Sequence, residues 1–286
     1  MNTAEQQRRA AEFRALHEQT DTFVIPNAWD AGTARILHGL GFRALATTSA
    51  GLAHSLGRAD GAGLVSRTET LDNARAIASA TSLPVTADLE NGFGDAPETV
   101  AESIRLAAAA GVVGASIEDT TGRPEDPLYD FDSAVERVAA AVEAAGSLGI
   151  PFTLTARAEN FLYGRPDLKD TIRRLRAFEA AGADVLYAPG LPDAEAIREV
   201  CSSVSRPVNV LAGGASRISV AELAALGVRR ISLGSGLSRL ALGAVRQAAR
   251  EVLEQGTFDF AAGALPYGEL NGVMASSARG EEGEGQ

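Results

Sequence analysis

Two carboxylates at the end of a short apolar run are the residues with the clearest chemical potential in this chain. Residues 83–87 are apolar apart from one threonine, and Asp88, Glu90 and a glycine-rich turn follow them. Because residues two apart on a strand point to the same side, Asp88 and Glu90 would share one face at the strand's end. Paired carboxylates repel each other unless a cation compensates, and Mg²⁺ prefers oxygen ligands. The pair therefore indicates either a magnesium site or two solvated loop acids.

A second acidic segment and a buried arginine favour the metal site. Glu118 and Asp119 follow another short apolar run, and Arg157 follows five apolar or hydroxyl-bearing residues. An unpaired charge in such a strand is costly, so Arg157 needs an anionic partner. The candidates are Glu159 and the carboxylate of a ligand, of which the ligand is favoured.

The strands and helices that must position these residues repeat in one regular order. Short β-favouring runs alternate with Ala-rich helical stretches such as residues 98–110 and 133–145, and a glycine suited to a helix C-terminal cap precedes most runs. This repeat predicts a parallel sheet closed by right-handed crossovers, a (β/α)₈ TIM barrel, with an open doubly wound sheet as the alternative. The predicted strands are residues 23–27, 44–49, 84–88, 114–118, 152–157, 184–188, 207–212 and 230–234.

The two ends of the chain add to this barrel. Residues 1–18 predict an extra amphipathic helix outside the eight units. We expect residues 1–275 to form a single barrel domain and residues 276–286 to form a disordered acidic tail.

Composition narrows the class of protein. The chain has 286 residues, 45% hydrophobic, with a net charge of −11, which argues against a nucleic-acid partner. Cys201 is the only cysteine, so an internal disulfide is excluded. The N-terminus lacks the apolar core of a signal peptide, and no apolar stretch is long enough to span a membrane. We therefore expect a cytoplasmic protein without a membrane partner.

The strand-end residues together resemble the isocitrate lyase/phosphoenolpyruvate mutase superfamily over roughly residues 20–250. The resemblance implies a (β/α)₈ barrel that binds Mg²⁺ and a 2-oxo acid or its enolate. It also implies a homotetramer, a dimer of dimers, in which the last helix is swapped between subunits. The matching segments are Thr47-Thr48-Ser49-Ala50-Gly51, Gly57-Arg58-Ala59-Asp60, Asp88-Leu89-Glu90-Asn91-Gly92-Phe93-Gly94, Ile117-Glu118-Asp119 and Ala156-Arg157-Ala158-Glu159.

The resemblance gives these residues roles. Asp88 corresponds to the principal metal ligand, with Glu90 and Glu118 helping directly or through water, for Mg²⁺ or alternatively Mn²⁺. Arg157 corresponds to the arginine that pairs with the substrate's carboxylate or oxo group. Asp60 falls in the mobile loop that closes over the site. The hydroxyl-bearing residues where the family cradles the substrate carboxylate are Thr47, Thr48 and Ser49.

Four further residues are candidates, three of them with a structural alternative. His54, after strand two, either donates a proton at the closed site or lies at a hinge or surface. Trp29 either walls the substrate pocket or packs in the core. Asn209 lies on predicted strand seven and is a candidate substrate ligand. Tyr129 is a candidate acid, although a loop anchor is the favoured interpretation.

The loop after strand four departs from the family. Residues 120–130 contain no Cys, Lys or His, whereas isocitrate and methylisocitrate lyases carry a Lys-Lys-Cys-Gly-His type loop there and phosphonomutases a Lys-Thr-Asn-like segment. We therefore expect a Mg²⁺-dependent lyase that breaks or forms a C–C bond of a small 2-oxo acid or hydroxy di- or tricarboxylate through an enolate. The alternatives are a phosphonomutase or phosphonate C–P enzyme, and a barrel that binds a 2-oxo acid without turnover.

Overall fold

The fold is an eight-stranded parallel barrel surrounded by helices. The computed structural model describes residues 3–213 and 218–275, and each predicted strand is present there, most of them shorter at one or both ends. The predicted TIM barrel is therefore confirmed. The strands are β1 (Phe23–Ile25), β2 (Leu45–Ala46), β3 (Val85–Asp88), β4 (Gly114–Glu118), β5 (Thr153–Arg157), β6 (Val185–Tyr187), β7 (Val208–Leu211) and β8 (Arg230–Ser232).

The strands pair in parallel in the order β1-β8-β7-β6-β5-β4-β3-β2. The barrel closes between the two ends of this order through a single parallel bridge from Asn27 to Ala46. There the Ala28 N–H donates to the Ala46 carbonyl at 2.8 Å. The Asn27 side chain strengthens this closure, because its Nδ2 donates to the Thr47 carbonyl and its Oδ1 accepts the Leu233 N–H. All eight C-terminal strand ends consequently face one mouth.

Helices cover the outside of the barrel and mostly end where the glycine pattern predicts. Gly182 shows why glycine is needed, since its φ is 105° and an added Cβ would lie 2.9 Å from the Val142 side chain. The helices are α1 (Thr3–Glu18), α2 (Ala31–Gly39), α3 (Ser49–Ser55), α4 (Arg67–Ser79), α5 (Pro97–Ala109), α6 (Phe131–Gly146), α7 (Leu168–Ala180), α8 (Ala194–Ser203), α9 (Val220–Ala225), α10 (Gly236–Gln255) and α11 (Tyr267–Ala275).

The extra helix α1 covers the N-terminal end of the barrel. Gln6 Nε2 donates to the carbonyls of Ala108 and Val112 at 2.7 and 3.0 Å. Phe13 is fully buried beside the start of β4, where an added Cβ on Gly114 would lie 3.0 Å from its ring. This end of the barrel is therefore closed by packing, and the opposite mouth remains for chemistry.

The C-terminal helices leave apolar side chains exposed. Helix α11 packs on α2, where Arg35 donates to the Met274 carbonyl at 2.6 Å. On α10, Leu240 and Leu253 are 70% and 85% exposed. In the part of the chain that the structure describes, no helix combines the length and apolarity that a bilayer crossing requires. The predicted tail, residues 276–286, lies outside the described residues, so the predicted domain bounds stay a prediction.

Candidate active site

Asp88 is fixed at the C-terminal end of β3 by both neighbouring strands. Its Oδ2 accepts the Ser49 N–H at 3.1 Å, and its own N–H donates to Thr47 Oγ1 at 2.9 Å. On the other side, Ser116 Oγ lies 3.4 Å from Asp88 Oδ1. These neutral contacts help to hold the half-buried Asp88 carboxylate at the mouth of the barrel.

The Arg157 guanidinium contacts three carboxylates. Its Nη1 lies 3.2 Å from Asp88 and 2.9 Å from Glu118, and its Nε lies 2.6 Å from Glu159. The Arg157 side chain is only 12% exposed, so these ion pairs form in a partly desolvated setting where they are strong. Of the two partners that the sequence suggests, Glu159 therefore contacts Arg157 directly.

The carboxylates of this cluster outnumber its cations. Burial, and then the negative charges of Asp88 and Asp60, raise the pKa of Glu90 to about 7. Burial likewise raises the pKa of Glu159 to about 7 and that of Glu118 well above its ordinary value, against the opposing charge of Arg157. These shifts reflect burial first and the repulsion between neighbouring carboxylates second, and a bound cation would favour the charged form of each carboxylate.

The donor set fits a hard divalent ion held partly through water. Within residues 3–213 and 218–275, no three Asp, Glu, His or Cys side chains are grouped closely enough to ligate one ion together. Mg²⁺ commonly takes only one or two carboxylates and keeps several waters. Asp88, with Glu90 and Glu118 near it, could hold the ion in this way. Glu90 has a φ of 49°, a left-handed backbone that is uncommon outside glycine and often found at functional sites.

The three predicted hydroxyl-bearing residues, Thr47, Thr48 and Ser49, lie at the site, and each side chain makes a hydrogen bond within the protein. Thr47 Oγ1 accepts the Asp88 N–H, and Thr48 Oγ1 caps α3 by accepting the Gly51 N–H at 3.3 Å. The Ser49 side chain hydrogen-bonds the carboxyl of Asp60. Both Thr47 and Thr48 accept an N–H and keep their own O–H as a donor, so their contact with a substrate carboxylate stays a prediction.

The predicted catalytic acids and the tryptophan differ in their placement. Asp60 lines the mouth, and burial of its carboxyl together with the charge of Asp88 raises its pKa. His54 lies half-buried on α3, near enough for its charge to lower the pKa of Asp60, but it lines neither cavity of the site. Trp29 also lines neither cavity and packs beside Gly51 instead. The structure therefore brings Asp60 to the site and leaves His54 and Trp29 at its edge.

The site consists of a narrow inner pocket beneath a wide mouth. The inner pocket has a volume of about 160 Å³, smaller than the roughly 300–1,000 Å³ of drug-sized ligand sites, which suits a small substrate. Asp60 and Arg157 line both the pocket and the mouth of about 1,120 Å³. A separate cavity of about 650 Å³ beside α1 contains none of the predicted site residues.

The inner pocket includes residues that the sequence patterns missed. The sequence predicts Asn209, but it does not predict Arg230 and Ser232, which lie beside it on β8. Arg230 is not expected there because it begins its strand, and strand starts lie away from the mouth of the barrel. Tyr163 lines the mouth near Glu118, from a segment without periodic pattern. Only the assembled barrel identifies these residues.

The divergent loop after β4 is anchored by Tyr129. Its hydroxyl donates to Asp95 Oδ1 at 2.5 Å, and its ring lies 4.1 Å from the Arg137 guanidinium carbon. Burial and this hydrogen bond raise the pKa of Tyr129 to about 12. These contacts support the loop-anchor interpretation of Tyr129.

Comparisons with known proteins identify the family of this chain. The chain matches the phosphoenolpyruvate phosphomutase family over residues 13–253. A solved structure from Burkholderia cenocepacia J2315, described only as a lyase/mutase, is 56% identical, with a TM-score of 0.93 over 96% of this chain and 98% of that one.

Two further relatives carry named activities. An oxaloacetate decarboxylase of Chromohalobacter salexigens is 28% identical over 88% of each chain. A phosphonopyruvate hydrolase solved with oxalate and Mg²⁺ is 27% identical, with a TM-score of 0.82 over 92% of this chain and 95% of that one. Since the family match spans most of the chain and includes the whole carboxylate–arginine cluster, the chain belongs to the phosphoenolpyruvate mutase/isocitrate lyase superfamily of enzymes.

Proposed function

We propose that this protein is a Mg²⁺-dependent lyase that acts on a small 2-oxo acid or hydroxy di- or tricarboxylate through an enolate. The observation that carries the proposal is the cluster of Asp88, Glu118 and Glu159 around Arg157 at the mouth of a small pocket. The relatives that act on oxaloacetate and that bind oxalate with Mg²⁺ support the same class of ligand.

In this proposal, the carboxylates would hold the metal and Arg157 would stabilise negative charge on the substrate. Asp88 would hold Mg²⁺, with Glu90 and Glu118 as direct or water-mediated ligands. When bound, the ion would supply Lewis-acid stabilisation to a developing enolate. The Arg157 guanidinium would donate hydrogen bonds to the negatively charged oxygen of the substrate, in a setting where water screens it little.

The loop that carries Asp60 would complete the site. Asp60 already contacts the Ser49 side chain and faces the same cavities as Arg157. Closing this loop over the mouth would exclude water, which would otherwise protonate the enolate or weaken the field of the charged groups. Thr47, Thr48 and Ser49 line the inner pocket and would then lie against the substrate carboxylate.

Replacing Asp88 tests the proposal. We expect Asp88→Asn to lose Mn²⁺ binding, followed by electron paramagnetic resonance, and to lose turnover of oxaloacetate. Asp130→Asn is the matched control, since Asp130 is an exposed N-cap of α6 and Asn also serves as an N-cap. An Asp88→Asn enzyme with full activity would refute the assignment. Oxalate binding without turnover of any 2-oxo acid would instead indicate a non-catalytic barrel.

Phosphonate chemistry is the second candidate, favoured by the phosphonopyruvate hydrolase relative. Cleavage of a C–P bond next to a keto group leaves the same enolate, so the same cluster would serve it. Phosphorus NMR of the protein with phosphonopyruvate separates the two functions. Appearance of inorganic phosphate or of a P–O ester signal would establish C–P chemistry, and an unchanged P–C signal would exclude it.

We further propose a homotetramer in which the last helix contributes to the subunit interface. The exposed apolar side chains of α10, such as Leu240 and Leu253, support this proposal, because a patch of this kind commonly marks an interface. Multi-angle light scattering should give four times the chain mass, and a monomer would contradict the proposal.

A further inference from the structure

Arg230 is a buried cation without an anionic partner. It is 4% exposed at the start of β8, and among the described residues no Asp or Glu forms an ion pair with it. Its guanidinium donates to three neutral acceptors: Asn209 Oδ1 at 2.9 Å, Thr155 Oγ1 at 3.0 Å and, at 3.3 Å, His17 Nε2. Burial accordingly lowers the pKa of Arg230 to about 10. A charge buried in this way is unfavourable unless an anion compensates it.

Arg230 also determines which hydrogen-bonding groups Asn209 presents on this wall of the inner pocket. A guanidinium has only donors, so the Asn209 amide must turn its oxygen towards Arg230 and its NH₂ group away from it. Asn209 Nδ2 then donates one hydrogen to Ser232 Oγ at 2.9 Å, and its second hydrogen has no acceptor among the residues that the structure describes. Sheet register places Arg230 directly beside Asn209, and all three residues line the inner pocket. This wall consequently offers hydrogen-bond donors backed by a positive charge.

The two ends of the inner pocket therefore differ in chemistry. One end holds Asp88 and Arg157, where the proposed metal and the 2-oxo acid group would lie. The other end is the donor wall of Asn209, Arg230 and Ser232. A monocarboxylate would satisfy only the first end and would leave the positive wall uncompensated.

We propose that Arg230 is a specificity-determining residue, which together with Asn209 and Ser232 binds the second carboxylate of a four-carbon 2-oxo or 2-hydroxy dicarboxylate. This inference rests on the proposed function, because it assumes that the first carboxylate lies at the metal end. It narrows the substrate class from small 2-oxo acids in general to dicarboxylates.

Calorimetry in the presence of Mg²⁺ tests the inference with two probes. Oxalate is short and needs only the metal end, whereas malate carries a second carboxylate that would reach the donor wall. We expect Arg230→Met to weaken malate binding at least tenfold and to change oxalate binding less than twofold. Equal effects on the two probes, or no effect on either, would overturn the inference.

A smaller truncation protects the test against a folding defect. Ser232→Ala removes one hydroxyl from the same wall, and we expect it to weaken malate binding several-fold while sparing oxalate. If Arg230→Met does not fold, Ser232→Ala tests by itself whether this wall binds the second carboxylate. An unchanged ratio of malate to oxalate affinity in Ser232→Ala would refute the inference. Failure of the wild-type protein to bind oxalate would instead count against the proposed function itself.

Discussion

His17 joins α1 to the floor of the barrel, and its protonation should destabilise the fold. Its Nδ1 lies 2.8 Å from the Phe13 carbonyl, so Nδ1 carries the hydrogen and Nε2 is left to accept from Arg230 at 3.3 Å. The rings of Phe13 and Phe23 meet the imidazole edge-on at centroid distances of 4.7 and 5.1 Å. Burial, and then the charge of Arg230, lower the pKa of His17 from 6.5 to about 3.

This pKa sets both the sign and the size of the effect. Between pH 6.5 and about pH 3, the unfolded chain binds a proton at His17 that the folded protein does not. The stabilising contribution is therefore complete above pH 6.5 and decreases as the pH falls. Each pH unit below 6.5 lowers the free energy of unfolding by about 1.4 kcal/mol, so pH 5 should cost about 2 kcal/mol relative to pH 8.

Urea denaturation at pH 8 and pH 5 measures this contribution. His17→Gln keeps an acceptor for Arg230 but cannot titrate, so its loss of stability between the two pH values should be smaller than the wild-type loss by about 2 kcal/mol. His38→Gln is the matched control, since His38 lies on α2 and contacts Thr81 instead. The control should show the wild-type loss. If wild type and His17→Gln lose the same stability, the reasoning is refuted.

Two further substitutions test the support of the site. Tyr129→Phe removes the hydrogen bond to Asp95 and should lower the free energy of unfolding, measured by denaturation, by about 1 kcal/mol. Steady-state kinetics should show an unchanged kcat/KM. A large fall in kcat would instead indicate that Tyr129 acts as an acid. Gly51→Ala places a methyl group 2.5 Å from the Thr48 side chain, so it should cost about 1–3 kcal/mol and weaken oxalate binding. Gly39→Ala meets no atom within 4 Å and should spare oxalate binding; equal losses in the two variants would contradict the packing argument.

Local pattern was enough to predict the barrel and the centre of its site. The alternation of strand, helix and glycine predicts every strand, because each signal depends on neighbouring residues. Parallel strands place their C-terminal ends at one edge, so Asp88, Glu118 and Arg157 could be expected to meet without knowledge of the fold's details. The structure does place these three side chains in contact.

The partners across the barrel could not be predicted in this way. The pattern predicts Thr47 and Thr48 as ligand contacts, but only the structure shows that their oxygens also accept the N–H groups of Asp88 and Gly51. Arg230 begins its strand and looked remote from the mouth, but its long side chain reaches the inner pocket beside Asn209. Which side chains meet inside a closed barrel depends on strand stagger and on how the sheet closes, and no sequence period records either quantity. The sequence by itself therefore determined the carboxylate–arginine mouth, whereas only the tertiary structure placed a buried positive charge at the far end of the pocket.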